Sequence, residues 1–157
     1  MLSENLRQNA IASAVEAFDA DAVTAGTFDR GELTLEIAPA KIVSICGFLK
    51  YDQKFVRLSS VTAVDRYPAE PRFEVVYHLH SIEHKQRVRL KCRVYGVDPA
   101  IESVTSVWRG ANWYEREVFD LFGIRFQGHP ELRRIMLPED WEGHPLRRDV
   151  RVTGSRV

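Results

Sequence analysis

Two runs, Phe73–Ser81 and Arg87–Tyr95, alternate apolar and polar residues with a period of two, and this limits the fold more than any other feature of the chain. In the first, Phe73, Val75, Tyr77 and Leu79 share one face while Glu74, Val76, His78 and His80 share the other. In the second, Val88, Leu90, Cys92 and Val94 point inward and Arg87, Arg89, Lys91 and Arg93 point outward. The polar stretch Glu83–Gln86 turns the chain between them. Such alternation belongs to an antiparallel sheet with one wet face. Upstream, Leu6, Ala10, Ala14, Val15 and Phe18 recur at helical spacing behind Ser3 as N-cap. Two short strands follow, Ala22–Phe28 and Leu33–Ile37, around Asp29-Arg30-Gly31. Pro39 suits the first turn of a second helix through Ile42, Val43, Ile45, Cys46 and Leu49. A longer strand, Phe55–Arg66, places Val56, Leu58, Val61 and Val64 in the core and leads into the hairpin as a meander. The fold class is α+β, a mostly antiparallel sheet with helices packed on one face.

A third helix is expected from about Ser106 to Phe122, with Tyr114, Val118, Leu121 and Phe122 as its buried stripe and Gly123 closing it. Beyond Gly123 the pattern changes. Residues 124–157 contain Pro130, Pro138 and Pro145, too many prolines for a long helix. Yet they also carry Phe126, Leu132, Ile135, Met136, Leu137, Trp141 and Leu146, which disordered tails avoid. The reading is an α+β domain over 1–123 and an extended partner-docking arm over 124–157, which needs a surface to lie on, its own domain or another chain. With 157 residues there is little room for more.

Charge narrows the function classes. Lys and Arg total 22 against 22 Asp and Glu, so bulk electrostatic binding to nucleic acid or anionic membrane is disfavoured. From residue 108 onward nine Arg face eight acids, a composition that fits a protein interface better than an RNA-binding stripe. No stretch approaches a bilayer-spanning length, and the start lacks the basic and apolar blocks of a secretory signal. Cys46 and Cys92 stand apart without a CxxC partner, too few thiolates for an iron–sulfur cluster, so both are expected as buried thiols in a reducing compartment. His78, His80 and His84 could offer metal ligands, but Arg87, Arg89 and Lys91 on the same face disfavour a divalent cation. Glu115 and Glu117 lie about 200° apart on a helix and cannot address one substrate. Arg116 and Asp120 are spaced as an i,i+4 pair. Gly-His-Pro occurs at 128–130 and 143–145, each copy followed closely by Leu-Arg-Arg (after Glu131 in the first), which reads as two similar docking turns.

The run from Tyr114-Glu115-Arg116-Glu117-Val118-Phe119-Asp120 to Gly123-Ile124, with His129-Pro130 and Leu132-Arg133-Arg134-Ile135, closely resembles a known pattern. It continues through Leu137-Pro138-Glu139-Asp140-Trp141-Glu142-Gly143-His144-Pro145-Leu146-Arg147-Arg148-Asp149. It resembles the C-subunit family of proton-pumping NADH:quinone oxidoreductase, respiratory complex I. The hairpin residues Tyr77-His78-Leu79, Ser81-Ile82-Glu83-His84 and Arg89-Leu90-Lys91 are similar to that family too, whereas Val150-Arg151 departs from it, where an aromatic and a proline are expected.

The resemblance implies a structural subunit of the complex's peripheral arm, on the cytoplasmic side of a bacterial inner membrane. FMN and the Fe–S clusters that carry electrons from NADH to quinone would sit on other chains, with none on this one. Its neighbours would be subunits D, B and I. The pattern residues would be Glu115, Arg116, Glu117, Asp120, His129, Arg133, Arg134, Trp141, His144, Arg147 and Arg148, pinning the third helix to the arm and the arm to its partner. Two other readings stay open. One is the equivalent small subunit of an energy-converting hydrogenase or ferredoxin-linked quinone reductase. The other is a free-standing hydrolase using Glu and His residues.

Overall fold

The computed structural model describes residues 4–150. Its centre is a five-stranded sheet in the order β1-β2-β5-β4-β3, built from β1 (Val23–Asp29), β2 (Glu32–Ile37), β3 (Arg57–Asp65), β4 (Phe73–Ser81) and β5 (Gln86–Val94). The hairpin stands where the alternation put it, β5 lying one residue earlier than expected. β3, β4 and β5 form the meander, but β2 pairs with β5 in parallel, so the sheet as a whole is two antiparallel units joined through a crossover. That crossover is the 3₁₀ turn Pro39–Lys41 with helix α3 (Ile42–Tyr51), followed by β3 and β4. A local pattern of alternation cannot reveal it, because parallel and antiparallel neighbours demand the same in–out periodicity.

The inner faces of the sheet and the helices share one core, in which Phe55, Phe73, Tyr77, Leu35, Ile37, Ile42, Ile45 and Leu49 are almost wholly buried. Cys46 and Cys92 lie free within it, and burial pushes both thiols up. Val56, expected inside, is exposed. A bulge between Leu58 and Ser60 shifts the phase of β3, so that Val61, Ala63 and Asp65 point inward after it.

The amino-terminal helix is two helices, α1 (Glu4–Arg7) and α2 (Ala10–Phe18). Asn9 interrupts them because its side-chain oxygen accepts the N–H groups of Ile11 and Ala12 and caps α2. Ser3 lies outside the described residues. Phe18 stays half exposed, stacked on Phe48 with ring centroids 4.3 Å apart.

Helix α4 runs Ala111–Phe122 and stops at Gly123, whose φ of +73° is the left-handed conformation a terminating glycine supplies. It begins later than expected, since 104–110 is wound in turns closed by Val107 and Trp108 N–H donation to the Val104 carbonyl. Two short strands, β6 (Ala100–Glu102) and β7 (Arg125–Gln127), pair in parallel on either side of it. The segment after Gly123 thus starts as a paired strand and continues without helix to residue 150.

Candidate functional site

α4 turns three ionisable side chains into the interior: Glu115 and Asp120 are wholly buried and Arg116 is 5% exposed. The stripe expected to be Tyr114, Val118, Leu121 and Phe122 is instead Ala111, Glu115, Val118 and Phe122, with Arg116 and Asp120 flanking it. Tyr114 and Leu121 are only partly buried. A buried charge is tolerated only with partners, and each of the three has its own.

Glu115 clamps the segment after β6. Its Oε1 accepts the Val104 N–H at 2.7 Å and its Oε2 the Ser103 hydroxyl at 2.6 Å. Burial pushes its carboxyl up to about 7, against the pull of those two hydrogen bonds. His129 Nε2 lies 3.9 Å from Glu115 Oε2. The Glu131 N–H donates to His129 Nδ1, which assigns the ring proton to Nε2, and Nε2 donates to the Asn112 carbonyl at 3.1 Å. Glu117, on the far side of the helix, is exposed.

Arg116 and Asp120 do not pair with each other. The Arg116 guanidinium sits 4.9 Å from the Trp113 ring centroid and its Nε donates to the Arg133 carbonyl. The Arg133 guanidinium itself points outward and pairs with Glu131. Asp120 is a hub. Its Oδ1 accepts Arg134 Nη1 at 2.7 Å, and its Oδ2 accepts the N–H groups of Ile135, Met136 and Leu137 at 3.1, 2.7 and 2.9 Å. Its backbone carbonyl accepts His144 Nδ1 at 2.9 Å. Although burial opposes ionisation, these donors hold the Asp120 carboxyl below its ordinary range.

A second anchor fixes the next residues. Arg72 grips Asp65 with Nε and Nη2 at 2.9 and 2.8 Å, and reaches Asp149 with Nη1 and Nη2 at 3.1 and 2.7 Å. The Arg148 N–H donates to Asp65 Oδ2, while the Arg148 side chain is exposed. Arg147 Nε donates to the Phe122 carbonyl, and its guanidinium carbon lies 5.3 Å from the Phe73 ring centroid. The Leu146 N–H closes the row on the Leu121 carbonyl. Trp141 makes none of these contacts; it is half exposed, as is Leu146, and Met136 is more so.

The arm therefore lies on its own chain from 124 to 150, through hydrogen bonds whose partners sit on α4, on β3 and at Arg72 just before β4. Periodicity overlooked Asp65, Arg72 and Ser103. The signal for Asp65 was present: it continues the inward phase of Val61 and Ala63, and an inward carboxylate at a strand end requires a cation.

The histidines of β4 are differently used. His78 Nδ1 faces the Ser60 hydroxyl at 2.9 Å, and its Nε2 accepts Arg89 Nε at 3.1 Å. Both nitrogens are committed, and a guanidinium stands where a metal ion would approach. Burial first, and Arg89 second, hold its pKa down. His84 lies past the strand end, its N–H donating to the Ser81 hydroxyl.

The described residues include no helix long and apolar enough to cross a membrane. Compared with known proteins, residues 35–156 match the family described as respiratory-chain NADH dehydrogenase, 30 Kd subunit. The NADH-quinone oxidoreductase C subunit of Geobacter sulfurreducens is 47% identical over 154 residues, which is 98% of this chain and 93% of the relative. A mitochondrial NADH-ubiquinone oxidoreductase 30.4 kDa subunit of Neurospora crassa is 48% identical over 80% of this chain and 44% of its own length. Among solved structures, a trypsin-resistant fragment of Nqo5 superposes with a TM-score of 0.67 at 29% identity, covering 80% of this chain and 99% of the fragment. A chain of the membrane-bound sulfane sulfur reductase, an archaeal respiratory membrane complex, gives a TM-score of 0.80 at 26% identity, covering 94% of this chain and 87% of its own. With most of its length matched by the family pattern and almost all of it by a close relative, this chain belongs to the respiratory-chain NADH dehydrogenase 30 Kd subunit family.

Proposed function

We propose that this chain is a structural and assembly subunit of the peripheral arm of a proton-translocating NADH:quinone oxidoreductase, carrying no redox chemistry of its own. In this reading FMN and the Fe–S clusters belong to partner chains, and this subunit holds them in register for electron transfer from NADH to quinone. Its neighbours are subunits D, B and I, at the cytoplasmic face of a bacterial inner membrane.

The observation that carries the reading is the division of labour in the 124–150 segment. Its Arg134 and Arg147 guanidiniums and the N–H groups of Ile135, Met136, Leu137 and Arg148 are spent inward on Asp120, Asp65 and the end of α4. Its bulky apolar side chains Met136, Trp141 and Leu146 face outward. Donors fix the geometry of a strap, and exposed aromatic and aliphatic anchors are what a partner surface covers. The Glu/His pair that a hydrolase would use, Glu115 and His129, has both side chains fully shielded from solvent, so no substrate reaches it.

The test is Trp141→Ser with Leu146→Ser in the intact organism's complex. Incorporation of this subunit should fall, while NADH:quinone turnover per assembled complex stays unchanged. Full assembly with slowed quinone reduction would reject the structural role. The match to the sulfane sulfur reductase chain favours a second reading, the equivalent small subunit of a related respiratory complex. Copurification decides between them: NADH-oxidising flavoprotein subunits support the first, a nickel–iron hydrogenase subunit the second.

A further inference from the structure

The outer face of the sheet, opposite the helices, holds a cleft of about 490 Å³, within the size range of sites that enclose a ligand group. Three residues cross its floor in one row. Arg57 on β3 stands opposite His80 on β4, and His80 stands opposite Arg87 on β5. Directly opposed cross-strand residues share a face, and strands are spaced about 4.8 Å apart, so the two guanidinium stems straddle the imidazole roughly 10 Å from each other. Among the described residues neither Arg57, Arg87 nor His80 has a side-chain hydrogen bond or a carboxylate partner.

The next row shows what a satisfied arrangement looks like on this sheet. Ser60, His78, Arg89 and Thr34 follow one another across four strands, and Arg89 is neutralised by Glu32 at 3.0 Å. Farther along, Glu74 collects Arg66, Lys91 and Arg93. The cations of the other rows thus each touch a carboxylate, whereas among the described residues Arg57 and Arg87 of this cleft touch none.

We infer that this cleft docks a carboxylate-bearing segment of a neighbouring subunit, with Arg57 and Arg87 as paired grips on its Asp or Glu side chains and His80 between them. Charge complementarity selects that occupant. A guanidinium fork matches a carboxylate bidentately, and two forks about 10 Å apart fit side chains a few residues apart on one chain. A long polyanion fits poorly, because the Glu32 carboxylate lines the same cleft beside the row. The surface is separate from the 124–150 arm, so it stands or falls independently of the arm's docking.

The experiment uses the purified complex. Arg57→Lys and Arg87→Lys place a primary amine at each position, and a water-soluble carbodiimide then joins an amine only to a carboxylate in contact with it. Mass spectrometry is expected to find, in each variant and not in wild type, an amide bond from position 57 or 87 to an Asp or Glu of another subunit. A photo-crosslinker at position 59 should recover the same peptide. Recovery of lipid, nucleic acid, or a peptide without acidic residues overturns the inference, and so does the absence of any new amide. As a second readout, Arg57→Gln with Arg87→Gln should leave the melting temperature of the isolated chain unchanged or raised, because no internal partner is lost. Arg57→Glu with Arg87→Glu should weaken rebinding to complex depleted of this subunit by more than about tenfold. Undiminished rebinding overturns it.

Discussion

Replacing Asp120 with Asn changes one atom and should undo the attachment of the arm. In the native chain one carboxylate oxygen takes the Arg134 guanidinium and the other takes three successive backbone N–H groups. An amide in the same place must turn its NH₂ either toward Arg134 or toward the 135–137 amides, so at least one donor faces another donor. Hydrogen bonds to a charged group contribute about 1.5–3 kcal/mol each and an orphaned buried donor costs about 1–3 kcal/mol. Removing one member of a buried pair costs about 3–5 kcal/mol, and Arg134, with a side chain only 14% exposed, is left without its counter-charge. The expected loss for Asp120→Asn is therefore about 3–5 kcal/mol, a large part of a stability of about 5–15 kcal/mol. Urea unfolding followed by circular dichroism measures the loss, and hydrogen exchange at Ile135, Met136 and Leu137 locates it. Those amides should lose protection before the hairpin does. A cost below about 1 kcal/mol, with exchange at the three amides unchanged, would refute the hub. So would a double-mutant cycle with Arg134→Ala that gives no coupling.

Glu115 makes a pH prediction of the opposite sign to that of the buried aspartates. Its folded pKa stands at about 7, above the ordinary 4.5, so between those values the native state binds the extra proton and stability falls as pH rises. Chemical denaturation from pH 4.5 to 7.5 should show a decline of about 3 kcal/mol from this group, set by about 1.4 kcal/mol per unit, and Glu115→Gln should flatten it. Asp120 and Asp65, held low, add stability that disappears only below about pH 4; a wild-type curve without the Glu115 decline would count against the burial argument. Gly123→Ala meets two obstacles: a φ of +73° and a new Cβ within 2.5–2.6 Å of His144 and Arg147 atoms. Those side chains are held by the Asp120 and Phe122 carbonyls and cannot withdraw freely. The cost should exceed the ~1 kcal/mol of the backbone conformation alone, with faster proteolysis after residue 123 as a second readout. Tyr77→Phe should be neutral or stabilising in thermal melts, because the Tyr77 hydroxyl is buried without a hydrogen-bond partner among the described residues.

Local sequence determined a good deal. The alternation in 73–95 specified two strands, their turn and their buried faces, because side-chain direction in a strand follows residue parity alone. Gly123 marked the end of α4 for an equally local reason, the freedom of glycine at positive φ. The proline-rich, apolar stretch after it excluded a long helix and demanded a surface. The tertiary structure decided what residue parity and helical period do not encode. It set the parallel pairing of β2 with β5, a choice between neighbours distant in sequence. It also set the phase of β3, shifted by a bulge after Leu58 that turns Val61, Ala63 and Asp65 inward, and it left Val56, ahead of the strand, exposed. Above all it determined the interior face of α4. An apolar reading of the helix favours Tyr114 and Leu121, whereas Glu115, Arg116 and Asp120 go inside because donors from 103–104 and 134–137 meet the two carboxylates and the Arg133 carbonyl meets the guanidinium. A charged side chain is buried only where another part of the chain completes it, and which part does so is known only once the chain has folded.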